Sequence, residues 1–221
     1  MDILKFASID IGSNAVRLLI SNVIPKKDPV FKKASLTRIP LRLGQDAFAL
    51  GRISKKKEEL LIKTMHAFRY LIEVQDIIAY RGFATSAMRE AENGSAIAER
   101  IRTECHIDLE VIDGNSEAKI IYGTHIEKTL EPDKNYLYVD VGGGSTEITL
   151  FNKGKIGVSH SFNIGTVRIL NDQVSEDDWL LLEEWIKQNT KNLENLALIG
   201  SGGNINKIYK MSKYKDKRPM S

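Results

Sequence analysis

The chain has 221 residues, of which 42% are hydrophobic and 28% are charged, and its formal net charge is only +3. This length is enough for one large domain or two small ones, and the composition is typical of water-soluble globular proteins. The small net charge gives no general signal for a polyanionic partner, and we expect no nucleic-acid partner. No segment approaches the roughly 18 uncharged apolar residues of a membrane span, so we expect no membrane association.

The N-terminus and the cysteine count bear on the cellular compartment. The residues before Asp10 contain no long apolar stretch, so we do not expect them to be a signal peptide. Cys105 is the only cysteine, which rules out an intrachain disulfide and fits a reducing compartment. Ile97 and Ile101 precede it at helical spacing, so we expect the thiol to lie in a core. We therefore expect a cytoplasmic protein.

The first half of the chain alternates strands and helices. Residues 3–10 are predicted as an apolar strand, and Val16–Val23 as the strand that returns after a turn. The further predicted elements are strands at Phe31–Leu43, Ile77–Phe83 and Leu109–Ile112, and helices that begin after Ser54, run from Thr85 to Glu92 and from Ser95 to Cys105, and extend from Asn115 or Ser116 to Lys128. The polar, proline-containing residues 131–135 are predicted as a linker.

The same order of elements restarts after this linker. The predicted strands are Tyr136–Asp140, Glu147–Phe151, Lys155–Phe162 and Leu196–Ile199, and the predicted helices are a short turn after Gly165, a longer helix capped by Ser175, and Asn204–Met211. Asp10 and Asp140 each lie in an apolar strand two residues before a glycine, and the surrounding pattern matches at an offset of 130 residues. This pattern predicts a duplicated α/β protein with domains at 1–130 and 131–221 and a cleft between them.

The second copy is shorter than the first. If the short turn after Gly165 is not counted, it stops after its fourth strand and second helix. It therefore lacks counterparts of the fifth strand and last helix of the first copy. We expect from this that the natural chain continues past Ser221.

A glycine-rich turn follows the first strand of each copy. Gly142–Gly144 let the backbone approach a ligand without Cβ clashes, and Ser145 and Thr146 add hydroxyl donors. Successive amide groups in such a turn form an anion-binding nest. A simple glycine hairpin is the alternative, but it needs one or two glycines rather than three beside two hydroxyls. We interpret the turn as a phosphate-binding loop whose counterpart in the first copy is Gly12, Ser13 and Asn14.

Two carboxylates flank the second loop. Asp140 precedes it and Glu147 follows seven residues later, so across a hairpin they can point into the same space. Such a pair beside a phosphate suits Mg²⁺, which binds one or two carboxylates together with phosphate oxygens. Asp10 could act in the same way in the first copy, and the alternative is that Asp140 only caps the turn. The histidines are scattered along the chain, so a zinc site is not expected.

Two further turns lead from a strand into a helix, where the free amides of the first helical turn can bind an anion. Gly82–Glu90 carries hydroxyls in its turn, and Gly200–Asn204, which includes Gly202, is its counterpart in the second copy. Arg89 could bind a phosphate through its planar fork or lie as a solvated helix arginine. Glu117 lies at a helix start, where the helix dipole favours an acid, and its spacing alone does not select it as catalytic.

Four segments, in order along the chain, resemble the exopolyphosphatase and guanosine pentaphosphate phosphohydrolase (Ppx/GppA) family. They are Phe6–Arg17, Ala84–Arg89, Val139–Glu147 and Gly200–Asn204, and together they span most of the chain. The resemblance implies the actin-like ATPase fold, in which two α/β domains of ribonuclease-H type face a cleft; here the second domain would lack its last strand and helix. It also implies hydrolysis of the terminal phosphoanhydride of inorganic polyphosphate, or of the γ-phosphate of guanosine pentaphosphate.

The resemblance implies roles for individual residues as well. Gly114–Lys119 is similar to the family segment that carries the general base, which implies this role for Glu117. Asp140 and Glu147 match acidic positions associated with Mg²⁺ and with water positioning. The family's phosphate contacts are matched by Gly12–Asn14, Gly142–Ser145 and Arg89.

The expected partners are inorganic polyphosphate or guanosine pentaphosphate or tetraphosphate, with a homodimer as a candidate assembly. Basic residues that could steer such polyanions are Lys26, Lys27, Lys32, Lys33, Arg38, Arg42 and Arg52, and Lys207, Lys210, Lys213, Lys215, Lys217 and Arg218, although most of them also fit an ordinary solvated surface. Two other functions stay open at this point. They are an ATP-dependent kinase or ATPase of the same superfold, and a non-enzymatic sensor of polyphosphate or guanosine tetraphosphate.

Overall fold

The computed structural model describes residues 3–27, 29–114, 116–117, 120 and 130–212. The chain forms two compact units, Met1–Asp113 and Gly114–Ser221. The domain boundary predicted between residues 130 and 131 stays a prediction, because residues 121–129 lie outside the described residues, as does most of the helix predicted up to Lys128. Within the described ranges, no helix is both long and apolar enough to cross a membrane.

The first unit is built on a five-stranded sheet. Its elements are β1 (Leu4–Ile11), β2 (Val16–Ile24), β3 (Val30–Ile39), α1 (Leu43–Leu50), α2 (Lys55–Val74), β4 (Ala79–Ala84), α3 (Ser86–Glu90), α4 (Gly94–Cys105) and β5 (Glu110–Val111). The strand order is β3-β2-β1-β4-β5, with β1 antiparallel to β2 and parallel to β4. The carboxyl ends of β1, β4 and β5 therefore share one edge of the sheet.

The core of this unit follows from the two periodicities of the sequence. Ile9 and Ile11 on β1 are fully buried because every second side chain of a strand points to the same face. Leu61 and Met65 lie one helical turn apart on α2 and pack into the same cluster. Cys105 also belongs to this cluster and is buried, as its spacing predicted.

The strand predicted at Phe31–Leu43 is wrong in its last residues. β3 ends at Ile39, and a helix that the sequence pattern did not predict, α1, begins at Leu43. Pro40 has no amide hydrogen for the strand ladder, and Arg42 adopts a left-handed backbone conformation with φ of 52°. Arg42 is not a capping residue type and its side chain makes no cap hydrogen bond, so the sequence offered no start signal for α1.

The second unit is built on a sheet with four described strands. Its elements are β6 (Asn135–Val141), β7 (Thr146–Asn152), β8 (Lys155–Phe162), α5 (Thr166–Leu170), α6 (Glu176–Thr190), β9 (Leu196–Ser201) and α7 (Gly202–Met211). The strand order β8-β7-β6-β9 repeats the order β3-β2-β1-β4 of the first unit, with the same strand directions. The predicted α/β duplication is thus confirmed. The described part of the second sheet has no counterpart of β5.

A capping box begins α6, as the serine signal predicted. The hydroxyl of Ser175 accepts a hydrogen bond from the amide of Asp178 at 3.1 Å, and the Asp178 carboxylate accepts one from the amide of Ser175 at 2.9 Å. The hydrogen bonds from the hydroxyl and then the amide of Ser175 lower the pKa of Asp178 below its ordinary value of 3.8. Leu182 and Trp185 of α6 pack against the buried apolar side chains of β6 and β7.

We expect Ser175→Ala to lower the free energy of unfolding by about 1 kcal/mol at neutral pH, because the start of α6 loses its cap. Since the folded-state pKa of Asp178 is depressed, this stabilisation is present above pH 3.8 and is lost as the pH falls through the folded-state pKa. Urea unfolding at several pH values, followed by circular dichroism, measures the difference. Ser95→Ala, at an exposed position in the first turn of α4, is the control. Equal decreases in the free energy of unfolding for both variants at every pH would show that the Ser175 cap does not stabilise α6.

Candidate functional site

The turn after the first strand of each unit is closed by the same hydrogen bond. In the first unit the amide of Gly12 donates to the carbonyl of Ala15 at 3.1 Å, and in the second unit Gly142 donates to Ser145 at 2.9 Å. The two bonds are related by the offset of 130 residues that defines the repeat. The two predicted phosphate loops therefore share their backbone geometry at this point.

The carbonyl groups of the second turn are bound by the segment that begins α5. The amides of Thr166 and Val167 donate to the first two carbonyls of Gly142–Gly144, at 3.1 and 2.8 Å. The Nε of Arg168 donates to the third carbonyl at 2.6 Å. Because three successive carbonyls face α5, the amide edge of the turn faces away from it.

Gly165 permits this close approach. A Cβ atom at this position would clash with the carbonyl of Gly143 and would lie 2.6 Å from the carbonyl carbon of Gly144. The sequence predicted a helical turn after Gly165, and this is confirmed. The contact of Gly165 and Arg168 with the glycine turn was missed, because the only sequence signal was a glycine before a helix and its partner lies elsewhere in the chain.

In the first unit the corresponding carbonyls are bound by main-chain amides. Gly44 donates to the carbonyl of Ser13 at 2.8 Å, and Arg42 donates to the carbonyl of Asn14 at 2.9 Å. The hydroxyl of Ser13 is buried and lies 2.8 Å from the hydroxyl of Ser86, with which it shares a hydrogen bond. The hydroxyl of Ser13 is thus already engaged, and the phosphate contact predicted at Gly12, Ser13 and Asn14 stays a prediction.

Asp140 and Glu147 lie opposite each other on β6 and β7. They are register partners of this antiparallel pair, so their side chains emerge on the same face beside the glycine turn. Glu147 is only 4% exposed, and its Oε1 accepts a hydrogen bond from the hydroxyl of Ser161 at 2.9 Å. The two carboxylates that the sequence singled out are thus neighbours, and their role toward a metal stays a prediction.

The chemistry of this carboxylate pair fits a magnesium ion. Mg²⁺ takes oxygen ligands, usually from one or two carboxylates, and completes its shell with phosphate oxygens and water. In the part of the chain that the structure describes, no group of three or more His, Cys, Asp or Glu side chains is arranged to hold a metal. Asp140 and Glu147 therefore fit a site shared with a bound phosphate rather than an all-protein cage.

The first unit differs at the equivalent position. Asp10 and Arg17 are register partners, and the Nη1 of Arg17 donates to the Oδ2 of Asp10 at 2.7 Å. Arg17 offsets the charge of Asp10, whereas Glu147 places a second carboxyl group opposite Asp140. The second unit is therefore the more favourable one for a divalent cation, and the metal role predicted for Asp10 stays a prediction.

Gly202 packs against Asp140 at the beginning of α7. Its φ of 88° is a left-handed conformation that favours glycine, and a Cβ atom there would lie 2.7 Å from the Oδ1 of Asp140. The side-chain amide of Asn204 donates to the carbonyl of Val141 at 2.8 Å, which ties the first turn of α7 to the end of β6. Gly202 thus keeps space for the Asp140 carboxylate, and its own contact with phosphate stays a prediction.

Glu117 is half-buried and helical. Gly114, which is also helical, packs so closely on Ser161 that a Cβ atom at Gly114 would clash with that side chain. Ser161 is the residue that donates to Glu147. Glu117 follows Gly114 by three positions in the chain, and its role as the base stays a prediction.

Arg89 is held at the carboxyl edge of the first sheet. It lies on α3, and its Nη1 donates to the carbonyl of Ile112 at 2.8 Å, directly after β5. The turn Gly12–Asn14 follows β1 at the same edge, because β1, β4 and β5 are parallel. The structure thus positions Arg89 at the edge that carries the first loop, while its contact with phosphate stays a prediction.

The duplicated sheet order and the two turns define a class of fold. The chain superposes with a TM-score of 0.52 on a protein of Bacteroides thetaiotaomicron that has an actin-like ATPase fold, over 93% of this chain and 87% of that one. The two sequences are 12% identical, so this likeness bears on the fold alone. The protein has the actin-like ATPase fold.

Within this fold class the chain belongs to the Ppx/GppA phosphatase family, whose model matches residues 23–198. It is similar to the crystal structure of an exopolyphosphatase from Cytophaga hutchinsonii, with a TM-score of 0.79 and 26% identity, over 94% of this chain and 69% of that one. The family resemblance noted from the sequence motifs is confirmed.

Curated relatives are longer than this chain. A bifunctional 3-dehydroquinate synthase/phosphatase of Fusobacterium nucleatum is 35% identical over 89% of this chain and 32% of its own length. Exopolyphosphatase 1 of Mycobacterium tuberculosis is 26% identical over 79% of this chain and 50% of its own length. The chain thus spans about a third of the first relative's length and half of the second's.

We expect Gly202→Ala to reduce phosphate release about 10²-fold, because alanine is strained at positive φ and its Cβ atom would displace the carboxylate of Asp140. Circular dichroism should show an intact fold. Gly203→Ala is the matched control, since a Cβ atom at the next position meets nothing within 4 Å. A similar loss of phosphate release in both variants would show that the space beside Asp140 is not the cause.

Proposed function

We propose that the protein hydrolyses the terminal phosphoanhydride bond of inorganic polyphosphate, with guanosine pentaphosphate as the alternative substrate. The observation that carries this proposal is the turn Gly142–Gly144, whose carbonyls are bound on one side and whose ends are flanked by the paired carboxylates Asp140 and Glu147. Membership of the Ppx/GppA phosphatase family and similarity to two exopolyphosphatases support the substrate class.

Phosphate binding is assigned to the amide edge of the second turn. The carbonyls of Gly142–Gly144 face α5, so the amides of Gly143, Gly144 and Ser145 carry partial positive charge on the opposite side. Since these dipoles are fixed before the substrate arrives, they can stabilise the charge of the terminal phosphate in the transition state without reorganising. Phosphoryl transfer depends largely on such positioning and charge stabilisation.

Asp140 and Glu147 are assigned to hold Mg²⁺ together with phosphate oxygens. The ion, when bound, would neutralise the negative charge that develops on the phosphate being transferred and on the leaving group. Ser161 fixes the orientation of Glu147 through its hydrogen bond of 2.9 Å, and Gly202 keeps space for the carboxylate of Asp140. The two carboxylates are therefore arranged before the ion binds.

Glu117 is assigned as the general base, the role that the family resemblance implies. Its carboxylate accepts a proton from the attacking water as the new bond forms between the water oxygen and the terminal phosphorus. The phosphoanhydride bond breaks in the same displacement, and the shortened chain leaves with its bridging oxygen. The close packing of Gly114 on Ser161 supports the assignment, because it ties the helical segment of Glu117 to the carboxylate pair.

We propose that the reaction takes place in the cytoplasm. A cytoplasmic location is supported by the single, buried thiol of Cys105. The homodimer stays a prediction. Family membership favours hydrolysis over the kinase and sensor functions that the sequence motifs left open.

Phosphate release from long-chain polyphosphate, guanosine pentaphosphate and ATP, with and without Mg²⁺, tests the proposed function. We expect polyphosphate to be cleaved fastest and a chelator to abolish the release. Fastest release from ATP would favour an ATPase. Tight binding of polyphosphate without release would favour a sensor.

We expect Glu117→Gln to lower kcat for polyphosphate by about 10²–10⁴, because the amide cannot accept the proton of the attacking water. Its melting temperature should equal that of the unchanged protein. Glu183→Gln, which alters an exposed glutamate paired with Lys187 on α6, should retain full activity. Undiminished turnover in Glu117→Gln would remove Glu117 from the role of base.

A further inference from the structure

The last carbonyl of the second turn is bound by a side chain, whereas its counterpart in the first unit is bound by the main chain. Asn14 and Gly144 are equivalent at the offset of 130 residues. The carbonyl of Asn14 accepts a hydrogen bond from the amide of Arg42 at 2.9 Å, and that of Gly144 accepts one from the Nε of Arg168 at 2.6 Å. In both copies this carbonyl accepts a hydrogen bond. The donor is a main-chain amide in the first copy and an arginine side chain in the second.

The main chain of α5 holds only the first two carbonyls of the turn. Thr166 and Val167 use the free amides of the first helical turn for this purpose. Farther along, the amide of Ile169 already donates to the carbonyl of Gly165 at 2.9 Å within the helix. The third carbonyl is instead reached by the side chain of Arg168.

We propose that Arg168 is a positioning residue that holds the phosphate-binding turn in its binding conformation through the carbonyl of Gly144. This inference rests on the proposed function, because it takes the amides of the turn as the phosphate-binding groups. Three consecutive glycines have more backbone freedom than any other tripeptide, so an anchor at each carbonyl is needed to keep their amides aligned. Without the third anchor the last peptide of the turn can rotate and its amide leaves the phosphate.

A lysine does not replace this arginine. The Nε–H of Arg168 lies in a rigid plane near the start of the guanidinium group, and its bond to Gly144 depends on that geometry. The ammonium group of lysine lies at the end of a flexible chain and acts as a point charge. Arg168→Lys keeps the positive charge that would attract an anion but loses the hydrogen bond that holds the turn. This variant therefore separates the two roles.

Arg168 also interacts electrostatically with Asp178 at the beginning of α6. The pKa of Asp178 is lowered first by the side chain and amide of Ser175 and least by the charge of Arg168. A variant of Arg168 could therefore act through the beginning of α6 rather than through the turn. Asp178→Asn removes that interaction and leaves the bond between Arg168 and Gly144 in place.

Titration with inorganic orthophosphate, which the protein cannot hydrolyse, tests the inference on the full chain. The chemical shifts of the Gly143 and Gly144 amides report binding in ¹H–¹⁵N spectra of the unchanged protein, Arg168→Met, Arg168→Lys and Asp178→Asn. We expect both variants of Arg168 to bind phosphate about tenfold more weakly, at low and high salt alike, since each loses one charge-assisted hydrogen bond. Asp178→Asn should bind as the unchanged protein does.

The inference is overturned if Arg168→Met binds phosphate as tightly as the unchanged protein. It is also overturned if Arg168→Lys restores binding, if the loss disappears at high salt, or if Asp178→Asn reproduces it. A failure of the proposed function looks different, because phosphate would still shift the two glycine amides while polyphosphate is not cleaved. In that case the role of Arg168 in positioning the turn would stand.

Discussion

The binding of three glycine carbonyls by the beginning of α5 is the interaction on which the candidate site depends. A turn of three glycines has no side chains to define its orientation, so its hydrogen bonds decide which edge faces a ligand. Thr166, Val167 and Arg168 take the carbonyls, and Gly165 allows the two segments to touch. The amide edge then lies on the turn that joins the strands of the two carboxylates, Asp140 and Glu147.

The two copies of the fold have kept the same framework and diverged in chemistry. Each has a strand whose next-to-last residue is an aspartate, followed by a closed turn. In each, carbonyls of the turn are bound by residues that come after the next two strands. Opposite that aspartate, the first copy has Arg17 and the second has Glu147. One change of charge sign therefore separates a neutralised aspartate from a pair of carboxylates suited to a divalent cation.

Much of this organisation could be predicted because its signals are local. Long apolar periods gave α2 and the strands, and Ser175 gave the start of α6. The helix α1 was missed because Arg42, the residue before it, is not of a capping type and its side chain makes no cap hydrogen bond. The contacts of Gly165 and Arg168 were missed for a different reason. Their partners are backbone carbonyls of another turn, and every residue has a backbone carbonyl, so residue type does not mark the contact.

The sequence by itself determined the duplication, the two glycine turns and the identity of the carboxylates, because each depends on residue type at a fixed spacing. Only the tertiary structure decided what orients those groups. Gly202 makes room for Asp140, Ser161 holds Glu147, and Arg168 binds the carbonyl of Gly144. These contacts join residues of different strands and helices, so their geometry exists only once those elements have packed together.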